Sequence, residues 1–138
     1  MFEREVVAPG MSAPAGRARL QALCEAYLSY IERDVFPGGC FLAQLLADYD
    51  ARHGPIRDEV AAGQRGWLGL LADQITTGQG QGELKPDVDP EQLAFELYAP
   101  IELTNFLYVL FRDPVIIERA RTAVAATLER ALPANQDT

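Results

Sequence analysis

Glu102 and Asn105 are the residues of this chain best placed to do chemistry, because both interrupt a run that is otherwise apolar. A carboxyl group removed from water is costly unless something pairs with it. Glu102 therefore needs an arginine or hydroxyl partner in a subunit interface, or a ligand that it anchors; the residues alone leave both open. Tyr27 and Tyr98 add hydroxyls that want partners if buried. These four polar groups suit the task of orienting a molecule in an apolar cavity.

Other chemistry is thinly represented. The single histidine, His53, sits in a helix-end context, and Cys24 and Cys40 are dispersed, which argues against a zinc site. No serine or cysteine nucleophile motif is recognisable, and the glycines at 78, 80 and 82 lack the lysine-serine/threonine pair of a phosphate-binding loop. The acidic residues fall mostly in first helical turns, where they complement the helix dipole. Neither catalysis nor a cofactor or metal is expected. Cys40, beside a predicted helix N-terminus, offers a minor alternative as a thiol or electrophile sensor; a free cysteine is otherwise a small buried hydrophobe.

The element carrying Glu102 is Asp89 to Asp113, DPEQLAFELYAPIELTNFLYVLFRD. Asp89 is a plausible N-cap, Pro90 fits the first helical position, and Gln92 stands where a capping-box partner belongs. At helical spacing Leu93, Leu97, Ile101, Tyr108 and Phe111 fall on one side, and Phe95, Tyr98, Phe106 and Val109 on another. A helix without a wide polar face must be buried on more than one side. Its own domain covers one; the other requires a second subunit, a ligand cavity, or both. Pro100 lies mid-helix, where it removes a hydrogen bond to Glu96, so a kink is expected there.

The other elements read as helices too. Phe2–Ala8 looks like the end of a linker helix broken by Pro9, Gly10 and Pro14. Ala15–Arg33 repeats Leu20, Leu23, Cys24, Tyr27, Leu28 and Ile31 at helical spacing. A helix beginning near Gly39 or Cys40 carries Phe41, Leu45 and Tyr49. After Gly54–Pro55 comes a helix with the stripe Ile56, Val60, Trp67, Leu70, Leu71 and Ile75. The final helix starts at Asp113–Pro114, with Ile117, Ala120, Val124 and Leu128 on one side, and residues 133–138 form a tail. This is an all-α fold of about five main helices in a single domain. The last two, Asp89–Arg112 and Pro114–Leu132, could form a symmetric four-helix dimer interface. Leu97, Ile101, Tyr108, Ile117, Ala120, Val124 and Leu128 are the expected interface residues. Tyr27, Phe41, Trp67, Phe95, Tyr98, Glu102, Asn105 and Phe106 are expected to line a pocket within each subunit.

The 138 residues carry a net charge of −8, which disfavours contact with nucleic acid or an anionic membrane. No apolar run is long enough to span a bilayer. A cytoplasmic location follows from the two lone cysteines and the charged N-terminus, which lacks a signal-peptide hydrophobic region.

The segment FPGGCFLAQLLADYDARHGPIRDEVAAGQRGWLGLLADQI, followed by GQGQGELKPDVDPEQLAFELYAP, resembles the C-terminal ligand-binding and dimerisation domain of TetR/AcrR-family transcriptional regulators. The carrying features are GGC opening one helix, GPIRD the next, GEL in the connector and DPEQLAF opening the long helix. The resemblance spans roughly Arg4 to Leu132. It implies a homodimer that senses a small apolar or cationic effector, often as a repressor. It also implies that DNA is read by an N-terminal helix-turn-helix domain not present in this chain. The rival within the same fold is a dimerisation module without a ligand, its interior filled by Phe and Tyr side chains.

Overall fold

The computed structural model describes residues 1–34 and 54–134. Among these residues every regular element is helical. An N-terminal segment is π-helical over Glu3–Val7 and continues as α1, Ala8–Met11. The others are α2 (Arg17–Glu32), α3 (Pro55–Gly80), α4 (Pro90–Phe111) and α5 (Val115–Arg130). The expected helix near Cys40, with Phe41, and also His53 and most of the tail, lie outside the described residues.

α2 is the central rod. Its buried residues, Leu20, Leu23, Cys24, Tyr27, Leu28, Tyr30 and Ile31, recur every three or four positions, so one wide stripe turns inward. It touches the N-terminal segment, α3, α4 and α5. Its start is fixed by Gly16, at φ 106°, where the backbone N–H donates to Gln74 Oε1 at 3.1 Å. That φ belongs to the region glycine enters most easily.

The N-terminal helix runs further than the sequence suggests. Pro9 does not end it; Pro9 sits in the first turn of α1, where a missing N–H costs little. Just before it, the Ala8 N–H reaches Glu3 O, the five-residue register of a π-turn. The chain leaves the helix at Ser12, whose hydroxyl donates to Pro9 O at 2.6 Å. Gly10 lets this segment lie directly on α2.

α3 begins at Pro55 after Gly54, as the Gly-then-Pro pattern predicts. Of its expected stripe, Val60, Trp67, Leu71 and Ile75 are buried, but Ile56 in the first turn is exposed. The connector is tied down by Gln79 Nε2, which donates to Lys85 O at 2.9 Å and Val88 O at 2.7 Å. Lys85 in turn donates from its backbone N–H to Ala131 O at 2.9 Å, joining the connector to the end of α5.

α4 is one continuous helix through Pro100. Asp89 caps it by accepting from Glu91 N–H at 3.0 Å, while Gln92 donates along the helix to Glu96 rather than closing a capping box. α4 packs against α3 and α5. Arg121 of α5 holds Glu25 and Glu32 of α2 at 2.9 Å each, which braces that helix pair. Its guanidinium is held above its ordinary pKa, first by the hydrogen bonds to Glu25.

Candidate functional site

Aromatic residues from four elements meet inside the bundle. Phe2 comes from the N-terminal segment, Tyr27 from α2, Trp67 from α3 and Tyr98 from α4. Phe2 meets Tyr27 at 5.0 Å and Trp67 at 5.4 Å between ring centroids, both edge-to-face. Tyr27 meets Trp67 at 5.5 Å, and Trp67 meets Tyr98 at 6.3 Å. Edge-to-face pairs at such distances place the positive ring edge on a neighbour's negative face.

Beside this cluster lies a cavity of about 260 Å³, walled by the four rings with Val7, Gln64 and Leu70, and with Glu3 and Gly63 also on its wall. That is near the lower end of the volumes that hold small ligands. Gly63 leaves room on that wall: a Cβ there would meet nothing within 4 Å.

A second hollow, about 400 Å³, lies on the outer face of α4. Leu68 of α3 lines it with Phe95, Ala99, Leu103 and Phe106 of α4, together with Tyr98 and Glu102. The single pocket expected from the sequence is therefore divided in two. Tyr27, Trp67 and Tyr98 face the inner cavity; Phe95, Glu102 and Phe106 belong to the outer groove; Tyr98 is the wall they share. The division follows from helical geometry. Phe95 and Phe106 project from α4 away from the core, at 62% and 39% exposure, and cannot reach the side facing Tyr27.

Asn105 lies in neither lining. It is buried behind the cluster, and its Nδ2 donates to the Tyr27 hydroxyl at 3.2 Å. Phe2 and Gln64 were not legible as site residues, since neither lies on a long apolar stripe; they are brought in by the path of the N-terminal segment and by the turn of α3 before Trp67.

Glu102 is half-buried and pairs with the Tyr98 hydroxyl, so its partner is a hydroxyl of its own subunit. The same hydroxyl lies 2.8 Å from Gln64 Oε1. Burial pushes the Glu102 carboxyl above its usual range, partly offset by the Tyr98 contact. Tyr98 is pushed up as well, by burial first and then by the neighbouring carboxylate. Glu102 Oε1 and Trp67 Nε1 are buried without a hydrogen-bond partner among the described residues.

The residues expected at the dimer interface sit elsewhere than on the surface. Leu97, Ile101, Ile117, Ala120, Val124 and Leu128 are all buried in the core of a single chain. Tyr108 is half-buried, with the Arg112 guanidinium 5.8 Å from its ring centroid. These side chains are already covered by their own subunit, because they hold α4 and α5 together and onto α2. The outward apolar side chains are Phe95, Leu103, Phe106, Leu110 and Phe111 on α4, with Val115 at the start of α5. Among the described residues no group of three His, Cys, Asp or Glu could hold a metal ion, and no helix is long and apolar enough to cross a membrane.

Residues 16–124 match the family model described as tetracyclin repressor-like, C-terminal domain. Among solved structures, a TetR transcriptional regulator from Chloroflexus aurantiacus J-10-FL superposes with a TM-score of 0.80 at 24% identity, over 94% of this chain and 67% of its own. A TetR-family regulator from Cytophaga hutchinsonii gives 0.81 at 18% identity, over 95% of this chain and 66% of its own. A TetR-family regulator from Streptomyces coelicolor gives 0.72 at 20% identity, over 94% and 60%. The chain thus spans about two thirds or less of the regulators whose fold it shares. No curated protein sequence matches it.

Proposed function

The chain belongs to the tetracyclin repressor-like C-terminal domain family, a family of regulators rather than enzymes, and from that premise we propose that it is the effector-sensing and dimerisation domain of a cytoplasmic transcriptional repressor. In this reading two copies associate through the outer faces of α4 and α5. A small apolar or cationic molecule occupies the inner cavity, and DNA is read by a separate helix-turn-helix domain. A net charge of −8 disfavours contact between these residues and phosphates.

The observation that carries the sensing role is the cavity of about 260 Å³ whose wall includes Phe2 and Val7 of the N-terminal segment as well as α2, α3 and α4. A molecule seated there contacts the N-terminal segment as well as three helices. Titration calorimetry with neutral and quaternary-ammonium aromatics of one or two rings tests it. Saturable binding of one molecule per chain is expected, weakened by Tyr98→Ala. Absence of binding across the panel would leave the rival, a dimerisation module filled by its own aromatics, a reading favoured by the edge-to-face contacts among Phe2, Tyr27 and Trp67.

A further inference from the structure

The outer groove has a chemical oddity at its centre. Phe95, Ala99, Leu103, Phe106 and Leu110 follow one another at steps of four, four, three and four residues, so they form a single stripe along α4. Leu110 and Phe111 are 72% and 56% exposed. Within this apolar surface Glu102 is the one charged residue of the lining. From α3 it is faced by Leu68 and, through Tyr98, by Gln64. The titratable and charged groups on the elements around it are Tyr98 on its own helix, Tyr27 of α2 behind Tyr98, and Arg65 of α3 with Glu91 in the adjoining hollow that also touches Phe95.

One hydroxyl stands between two acceptors. Tyr98 has a single proton to give, yet its oxygen lies against both Glu102 Oε2 and Gln64 Oε1. A proton on Glu102 resolves this: Glu102 donates to the Tyr98 oxygen, and Tyr98 donates to Gln64 Oε1. Turning the Gln64 amide over would also satisfy Tyr98, but it would leave Glu102 charged, with its buried Oε1 unpartnered. An unpartnered neutral carbonyl oxygen costs far less than an unpartnered charge.

We propose that a second copy of this chain seats on this groove and that Glu102 enters the contact as a neutral carboxylic acid, so that association takes up protons. The proposal rests on the dimer reading above and adds its regulation. Area favours a second copy as the occupant. Phe95, Leu103, Phe106, Leu110 and Phe111 offer on the order of 100 Å² each, which makes most of the roughly 800 Å² per partner of a stable interface; Val115 and the small outer residues of α5 supply the rest. Charge points the same way. Two chains of −8 repel each other, but this stripe carries no charge once Glu102 is neutral. Burial already raises the Glu102 pKa in one chain, and a covering subunit removes more water and raises it further. The dimer therefore binds more protons than its separated chains. Association is strongest below the single-chain pKa and weakens as pH rises towards the dimer value.

Sedimentation equilibrium of the 138-residue chain between pH 5 and 8.5, with Glu102→Gln and Leu103→Glu alongside, tests the proposal. The dimer dissociation constant should climb with pH by up to about tenfold per unit for each Glu102 taking part. Glu102→Gln should remove that slope and bind at least tenfold more tightly than the parent at the alkaline end. Leu103→Glu should abolish association at every pH. A dimer that ignores pH, a Glu102→Gln variant that keeps the slope, or a dimer indifferent to Leu103→Glu overturns the proposal and leaves the dimer reading standing. A monomer at every pH, whether or not the groove then captures something else, overturns both.

Discussion

Asn105 of α4 donates from Nδ2 to the hydroxyl of Tyr27 on α2 across 3.2 Å, with both residues at 2% exposure or less. Asn105 is a cross-brace behind the aromatic cluster, outside both linings, and it steadies the Tyr27 ring on the inner cavity wall. Replacing Asn105 by leucine keeps the bulk and removes this donor to the Tyr27 hydroxyl. A loss of about 1–3 kcal/mol is expected, read as a lower midpoint in urea unfolding with little change in binding stoichiometry.

Gly10 sets how closely the N-terminal segment lies on α2. A Cβ built there would stand 2.5 Å from Leu23 Cδ2 and 2.9 Å from Leu23 Cα, and backbone cannot yield as a side-chain tip does. Gly10→Val should cost about 1–3 kcal/mol and weaken binding in the inner cavity, since Phe2 and Val7 move with the segment. Gly66→Ala is the control: a Cβ there meets nothing within 4 Å, and a helical glycine costs roughly 0.5–1 kcal/mol relative to alanine. Thermal unfolding should shift in opposite directions for the two variants.

Charge placed on α4 or α5 separates inner from outer residues. Leu110, 72% exposed, lies on the outer stripe, whereas Val124, 8% exposed, lies in the core. Leu110→Glu should leave the circular dichroism spectrum unchanged and weaken association at least tenfold in light scattering. Val124→Glu should unfold the chain, because it buries an unpaired carboxylate.

The fold was legible because periodicity reports burial. The stripe of α2, the Gly54–Pro55 start of α3 and the Asp89 cap of α4 each follow from local spacing or chain stereochemistry. What the sequence could not separate was the side of an apolar helix that its own chain covers from the side left exposed. Leu97 and Leu103 are both leucines on one apolar helix, yet one is at 0% and the other at 55% exposure. The difference depends on where α3 and α5 lie, and that is tertiary information. The same limit merged two hollows into one expected pocket, because helical spacing alone does not show that the Tyr98 ring stands between them. Pro9 misled for a local reason: a proline in the first turn after a π-turn ends nothing.

Cys24 is fully buried, and burial, reinforced by Glu25, pushes its thiol up to about 12. A thiol reacts as its thiolate, so the folded chain should resist alkylation at Cys24. In a Cys40→Ser background, iodoacetamide labelling at pH 8.5 should be at least a hundredfold slower in buffer than in denaturant. A folded pKa raised above the ordinary thiol value of 9.0 contributes stability below pH 9 and loses it as pH rises towards 12. Rapid native labelling of Cys24 would show that α2 opens away from its neighbours far more readily than its burial implies.

Filling the inner cavity without disturbing its walls is the most direct trial of the sensing role. Gly63 lies on the cavity wall, on the face of α3 one turn before Trp67, and has open space where its Cβ would be. Gly63→Leu removes a helix-weakening glycine, a gain of up to about 1 kcal/mol, and adds an isobutyl group at the cavity wall. The variant should unfold at the same or a higher temperature than the parent while losing calorimetric binding of the aromatic panel by at least tenfold. Destabilisation combined with lost binding would mean only that the wall had been damaged. Gained stability with undiminished binding would place the ligand outside this cavity, because an occupant and a leucine packed into it cannot share about 260 Å³ without one yielding.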